Sequence, residues 1–194
     1  MIRLAQTPLT PPVLLAPMAG ITDLPYRRLV SRFGAGLVVS EMVASREVVC
    51  AQPEARGRAE LGLGEAATAV QLAGREEYWM AEAARLVEAQ GARIIDINMG
   101  CPARRVTTGY AGSALMRDLD HAQRLIEAVV GAVKVPVTLK TRLGWDHGAL
   151  NAADLARRAE GAGVQMITIH GRTRCQFYTG QADWAAIRAV KEAV

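Results

Sequence analysis

Six short apolar runs recur along this chain, and between them the apolar residues change to a helical spacing. The runs are VLLAPM (13–18), GLVVSEM (36–42), TAVQLA (68–73), RIIDINM (93–99), VPVTLKT (135–141) and VQMITIH (164–170). Segments this short, rich in Val, Ile and Leu, read as buried strands. Among the intervening stretches, DLPYRRLVSRFG offers Asp23 as a cap, Pro25 in the first turn and Gly34 as a stop. REEYWMAEAARLVEAQG (75–91) stops at Gly91, and DLDHAQRLIEAVVGAV (118–133) sets Leu125, Val129 and Val130 on one face. NAADLARRAEGAG (151–163) opens with Asn151 and Asp154 near capping-box spacing, and DWAAIRAVKEAV (183–194) opens on Asp183. Helix, small turn and strand repeat as FGAGLVVS, QGARIIDI and AGVQMITI. Such alternation implies parallel strands joined by right-handed crossovers. A doubly wound sheet and a (β/α)8 barrel both fit. No run is followed by G-x-G-x-x-G, which weakens the dinucleotide-binding sheet. The stretch 46–64 is predicted to be a long loop.

Successive strand residues point to opposite faces. Ile94, Asp96 and Asn98 therefore share one face, against Ile95, Ile97 and Met99 on the other. The same division sets Thr138, Lys140 and Arg142 against Val137 and Leu139, Thr168 and His170 against Ile167 and Ile169, and Gln71 against Val70 and Leu72. Polar groups on one parity of four consecutive strands, late in each strand, converge only if those strands enclose a common interior. Barrel active sites lie at that carboxyl end. An isolated buried lysine is costly, so Lys140 calls for an anion or a carbonyl-rich ligand nearby. A lone cysteine is usually an inert small hydrophobe. Cys101 differs in its place, directly after a strand and between Gly100 and Pro102.

Composition narrows the class. Hydrophobic residues make up 51% and charged residues 22%, a globular balance. No apolar run approaches the roughly 20 residues of a membrane span, and the N-terminus does not read as a signal peptide. Cys50, Cys101 and Cys175 lie far apart without C-x-x-C spacing, which argues against a metal site or disulfide framework and for a reducing cytoplasm. The net charge of +4 permits an anionic partner without demanding one.

The stretches APMAGITDLPYR, SEMV, VQLAG, IDINMGCPARRV, GSALMRD, VPVTLKTRLGW and TIHGRTR, in this order, closely resemble the tRNA-dihydrouridine synthases, in particular the bacterial B-type, NifR3-like group. The resemblance runs from about Leu14 to Val190. It implies a (β/α)8 TIM barrel of the FMN-linked oxidoreductase type, reducing D-loop uridines of tRNA with NADPH or NADH. It also implies roles. Pro17, Met18 and Ala19 would line the flavin ring, Gln71 its pyrimidine edge, and Lys140 the region of its nitrogen 1. His170 would contact the flavin toward the ribityl chain, and Asn98 and Arg142 would lie where flavin and uracil meet. Cys101 matches the catalytic cysteine. A thiol, with an ordinary pKa of about 8.5, is mostly protonated at neutral pH and can donate the proton that carbon 5 needs after hydride reaches carbon 6. Arg104, Arg105, Arg172 and Arg174 follow strands on the same end and could receive tRNA phosphates.

A full (β/α)8 barrel takes about 250 residues. The sequence accounts for about six of eight units, so residues 1–194 read as the N-terminal part of a barrel domain, without the C-terminal helical domain that holds tRNA. An unclosed barrel on its own would bind FMN weakly or not at all. Two other readings stay open: another FMN barrel acting on a free pyrimidine, and a non-catalytic remnant that binds RNA.

Overall fold

Six parallel strands pair in the order in which they occur in the chain. The computed structural model describes residues 2–5, 7–62 and 68–194, without the side chains of Ile2 and Thr7. A hairpin of β1 (Ile2–Leu4) and β2 (Thr7–Leu9) comes first. Then follow β3 (Leu14–Leu15), α1 (Leu24–Arg32), β4 (Leu37–Ala44), α2 (Ser45–Val49), α3 (Pro53–Ala59), β5 (Thr68–Ala73), α4 (Glu77–Ala89) and β6 (Ile94–Met99). The chain continues through α5 (Arg104–Thr107), a 3₁₀ helix (Gly112–Arg117), α6 (Leu119–Val130), β7 (Val137–Arg142), α7 (Ala152–Gly161), β8 (Met166–His170) and α8 (Trp184–Lys191). A doubly wound sheet reverses its strand order at a switch point. The order β3-β4-β5-β6-β7-β8 never reverses, so the sheet is part of a (β/α)8 barrel, as the sequence predicts.

Local chemistry sets the helix starts. The carboxylates of Asp23, Asp118 and Asp183 accept the backbone N–H of Tyr26, His121 and Ala186 at 2.9, 3.0 and 2.9 Å. Asn151 departs from the expected box. It precedes α7, but its amide does not cap; Nδ2 donates instead to the Met116 carbonyl at 2.8 Å, tying α7 to the 3₁₀ helix. The predicted loop at 46–64 is another correction, because it contains α2 and α3. Pro53 starts α3, and Ala55 and Ala59, one turn apart, are buried with Val48. So small a stripe carries little hydrophobic signal. Residues 63 and 64 of that stretch lie outside the described residues.

The parity pattern separates two cores. Val70, Leu72, Ile95, Ile97, Met99 and Leu139 face outward onto Met80 and Val87 of α4, Leu125 and Val129 of α6, and Leu155 of α7. Inside the barrel, at the amino ends of the strands, Leu37, Val39, Ala69 and Ile94 meet Leu4 and Leu9 of the hairpin. The hairpin thus plugs the floor of the barrel, and nothing in the local pattern of the N-terminus announces it. Gly36 lets the chain pass there, since a Cβ would stand 2.0 Å from the Pro11 carbonyl oxygen.

Leu9 is fully buried in that plug. Leu9→Ala should therefore lower the unfolding free energy by about 3 kcal/mol. Urea denaturation is expected to show a lower midpoint at an unchanged slope.

Candidate functional site

The strand register turns the inward parity into rows. Gln71 pairs with Asp96 and Asp96 with Thr138; one level higher Asn98 pairs with Lys140 and Lys140 with Thr168; higher still, Arg142 pairs with His170. Above the apolar floor the interior is therefore polar. Along these rows the Thr138 hydroxyl donates to Asp96 Oδ1 (2.5 Å) and Gln71 Nε2 donates to Asp96 Oδ2 (2.6 Å). Asn98 Nδ2 donates to Gln71 Oε1 at 2.8 Å. Asn98 Oδ1 then accepts the backbone N–H of Gly100 (3.2 Å) and of Cys101 (2.9 Å).

A cleft of about 480 Å³ opens at this carboxyl end. It gathers Pro17, Met18, Ala19, Gln71, Asn98, Cys101, Lys140, Arg142 and His170, every flavin-site and catalytic residue that the sequence singles out. Several are held by local hydrogen bonds. The loop after β3 is fixed by the Met18 N–H donating to Thr22 Oγ1 (3.0 Å) and the Gly20 N–H donating to Glu41 Oε2 (2.8 Å). The loop after β6 is fixed by Ser113, whose hydroxyl and N–H both donate to the Cys101 carbonyl (2.9 and 3.1 Å). Gly112, at φ +60°, allows that approach, because a Cβ would lie 2.8 Å from the same carbonyl. Arg142 joins two loops: Nε donates to the Gly100 carbonyl and Nη1 to those of Thr173 and Phe177, each at 2.9 Å.

Burial tunes the charges. Desolvation pushes the Asp96 carboxyl above its ordinary value, against the hydrogen bonds from Thr138 and Gln71. Desolvation also lowers the Lys140 ammonium, while the Asp96 charge supports it. His170 is lowered to about 4, by burial first and then by Arg142 and Lys140, so its ring is neutral at pH 7. Its Nδ1 is buried and has no hydrogen-bond partner among the described residues. Lys140 makes no hydrogen bond or ion pair among the described residues, and Gln71 keeps one N–H and one lone pair unused. This donor set suits a planar, carbonyl-rich, electron-accepting ring such as a flavin.

The four arginines assigned to RNA lie outside this cleft. Arg104 and Arg105 are exposed on α5, and Arg105 lines a neighbouring trough of about 580 Å³ together with Arg46, Arg58 and Arg75. Arg172 is committed to the carbonyls of Thr179 (3.1 Å) and Gly180 (2.7 Å). Arg174 and Arg117 both stack on Trp145, at 4.7 and 5.0 Å from the ring centre. Sequence reasoning missed Phe177 and Tyr178, which also line the cleft. The Tyr178 ring lies 5.6 Å from the Arg142 guanidinium and 6.3 Å from the His170 ring. The aromatic pair just past HGRTR was the available signal. Among the described residues no group of three or more His, Cys, Asp or Glu is placed to hold a metal, and no helix is long and apolar enough to cross a membrane. Cys50, Cys101 and Cys175 are all free thiols.

Fold and site define a parallel α/β chain of the barrel class, with a cleft at the carboxyl ends of its strands that gathers polar side chains. More particularly, the chain belongs to the dihydrouridine synthase (Dus) family, whose model matches residues 14–194. It is 68% identical over its whole length to a probable tRNA-dihydrouridine synthase of Rhodobacter capsulatus, of which it covers 60%. It is 48% identical to tRNA-dihydrouridine synthase B of Xanthomonas campestris, with 96% of this chain and 56% of that protein aligned. Against tRNA-dihydrouridine synthase B of Pseudomonas putida the identity is 47%, over 100% of this chain and 57% of that protein. The chain thus spans a little under two thirds of the length of these relatives.

The His170 environment has a pH signature. The folded chain prefers the neutral ring, with a value near 4 against an ordinary value near 6.5. Acidification from about 6.5 down to about 4 should therefore cost stability, and the cost should level off below that. Proton NMR of the imidazole should show a midpoint well below 5.5. His170→Asn should remove this part of the acid destabilisation.

Proposed function

We propose that this chain is the flavin-binding part of an enzyme that reduces uridines of tRNA to 5,6-dihydrouridine, in the cytoplasm, with FMN as cofactor and NADPH or NADH as reductant. The observation that carries the reading is the convergence of nine named residues on one cleft, with Cys101 on its wall, in a chain of the dihydrouridine synthase family. The names of the relatives supply tRNA as the substrate class. We read residues 1–194 as the N-terminal part of a TIM-barrel catalytic domain.

FMN, when bound, supplies hydride to carbon 6 of the uracil ring. The chain's own residues hold and protonate. Pro17, Met18 and Ala19 form one wall of the cleft, and Gln71 offers an amide to a pyrimidine edge. Lys140, half-buried and without a hydrogen bond or ion pair among the described residues, brings a cation supported by the Asp96 charge to the place where negative charge accumulates. Neutral His170 presents a ring nitrogen to an oxygen or N–H of the ligand. Asn98 and Arg142 hold the turn from which the Cys101 thiol donates a proton to carbon 5. A base inside a helical RNA cannot reach such a cleft, so the target uridine must leave its stack. Arg104 and Arg105, exposed beside the cleft, are assigned to RNA phosphates.

Cys101→Ala should lower dihydrouridine formation in tRNA by at least about 100-fold while leaving bound flavin, seen by its visible absorbance, in place. Mass spectrometry of digested tRNA reads the product. An unchanged rate refutes the proton-donor role, and equal turnover of free uridine points to a free-pyrimidine enzyme. Arg104→Ala and Arg105→Ala should each weaken tRNA binding and lower the salt slope by about 1.

A further inference from the structure

One buried carboxylate takes no part in the proposed chemistry. Asp96, 6% exposed, stands in the same row as Gln71 but is absent from the lining of the cleft. A carboxylate only accepts hydrogen bonds, whereas a side-chain amide has one donating and one accepting end of nearly equal shape. Which way such an amide faces is set by its partners alone. Asp96 Oδ2 admits only the NH₂ end of Gln71, at 2.6 Å. Gln71 Oε1 is thereby turned to Asn98 and admits only its NH₂ end, at 2.8 Å. Asn98 Oδ1 is left facing the loop, where it receives the Cys101 and Gly100 N–H groups at 2.9 and 3.2 Å. The far end of the chain needs an acceptor, and two amides of the same sense deliver one. Without Asp96, Gln71 can turn over. Its NH₂ would then meet that of Asn98; if Asn98 turned as well, an NH₂ would face the two backbone N–H groups.

We propose that Asp96 is a positioning residue: through Gln71 and Asn98 it fixes the donor–acceptor sense of the amide relay that holds the Cys101 turn. Its value for catalysis rests on the function proposed above; its hold on the turn does not. The acceptor is what matters, not the charge. In Asp96→Asn the new oxygen can still accept from Gln71 while the new NH₂ donates to the Thr138 hydroxyl, so the relay survives. Asp96→Leu, similar in shape, removes the acceptor.

The test uses the purified protein with the two exposed cysteines changed, Cys50→Ser and Cys175→Ser, as parent. The second-order rate of Cys101 alkylation by iodoacetamide is measured alongside the melting temperature. Asp96→Leu is expected to change the rate more than threefold, and Asp96→Asn to stay within threefold of the parent. A folded Asp96→Leu within threefold of the parent overturns the proposal. So does an Asp96→Asn that moves as far as the leucine variant, which would make charge the cause. If the leucine variant does not fold, the parent decides by NMR. A Gln71 side-chain N–H exchanging at least tenfold more slowly than a free glutamine amide supports the relay, and faster exchange overturns it. FMN binding by the parent, measured separately, reports on the functional reading: its failure leaves the alkylation result intact.

Discussion

A parallel sheet covered on both faces has to satisfy two different neighbours with one alternating strand. The outer face meets helices and can be wholly apolar. The inner face meets the rest of the barrel, and its polar groups must find one another because bulk water is excluded. This constraint organises the chain. At the amino ends of the strands the interior is filled by apolar side chains and the β1–β2 hairpin. At the carboxyl ends it is filled by hydrogen bonds that run from strand to strand, from Thr138 through Asp96 and Gln71 to Asn98. The boundary between the two fillings sets the depth of the cleft.

Three nitrogen bases enter that cleft, and the structure gives them different duties. Arg142 spends Nε and Nη1 on carbonyls of the loops after β6 and β8, so it acts as a brace between them. His170 is kept neutral by burial and by the charges of Arg142, Lys140 and Arg172, and its Nδ1 has no hydrogen-bond partner among the described residues. Lys140 is the cation left open toward a ligand, supported from below by Asp96. A positive charge that makes no hydrogen bond among the described residues, backed by a carboxylate bonded at both oxygens, is a stable way to hold a cation beneath an electron-accepting ring.

Much of the candidate site was legible because its signal is local. A period of two is written into consecutive residues, so Asp96 and Asn98 could be placed on the inner face without knowledge of their partners. The INMGCP, LKTRLGW and IHGRT stretches added the family resemblance. Other features were hidden because their cause lies elsewhere in the chain. The hairpin has no pattern of its own and is buried only because a barrel floor exists to receive it. Asn151 looks like a cap, yet its amide is turned so that Nδ2 donates to the Met116 carbonyl. Arg172 looks like a free surface cation, yet its loop folds back and takes its donors.

By itself the sequence determined the alternation of strand and helix, the polar inner parity, the capped helix starts and the residue types of the cleft. All of these follow from chemistry within a few positions of each residue. Only the tertiary structure decided the strand order that separates a barrel from a doubly wound sheet, the register that sets Gln71 against Asp96 and Lys140 against Asn98, and the sense of the amide relay. Those depend on which distant groups stand across from one another. A side chain with a donor at one end and an acceptor at the other takes its direction from its neighbours.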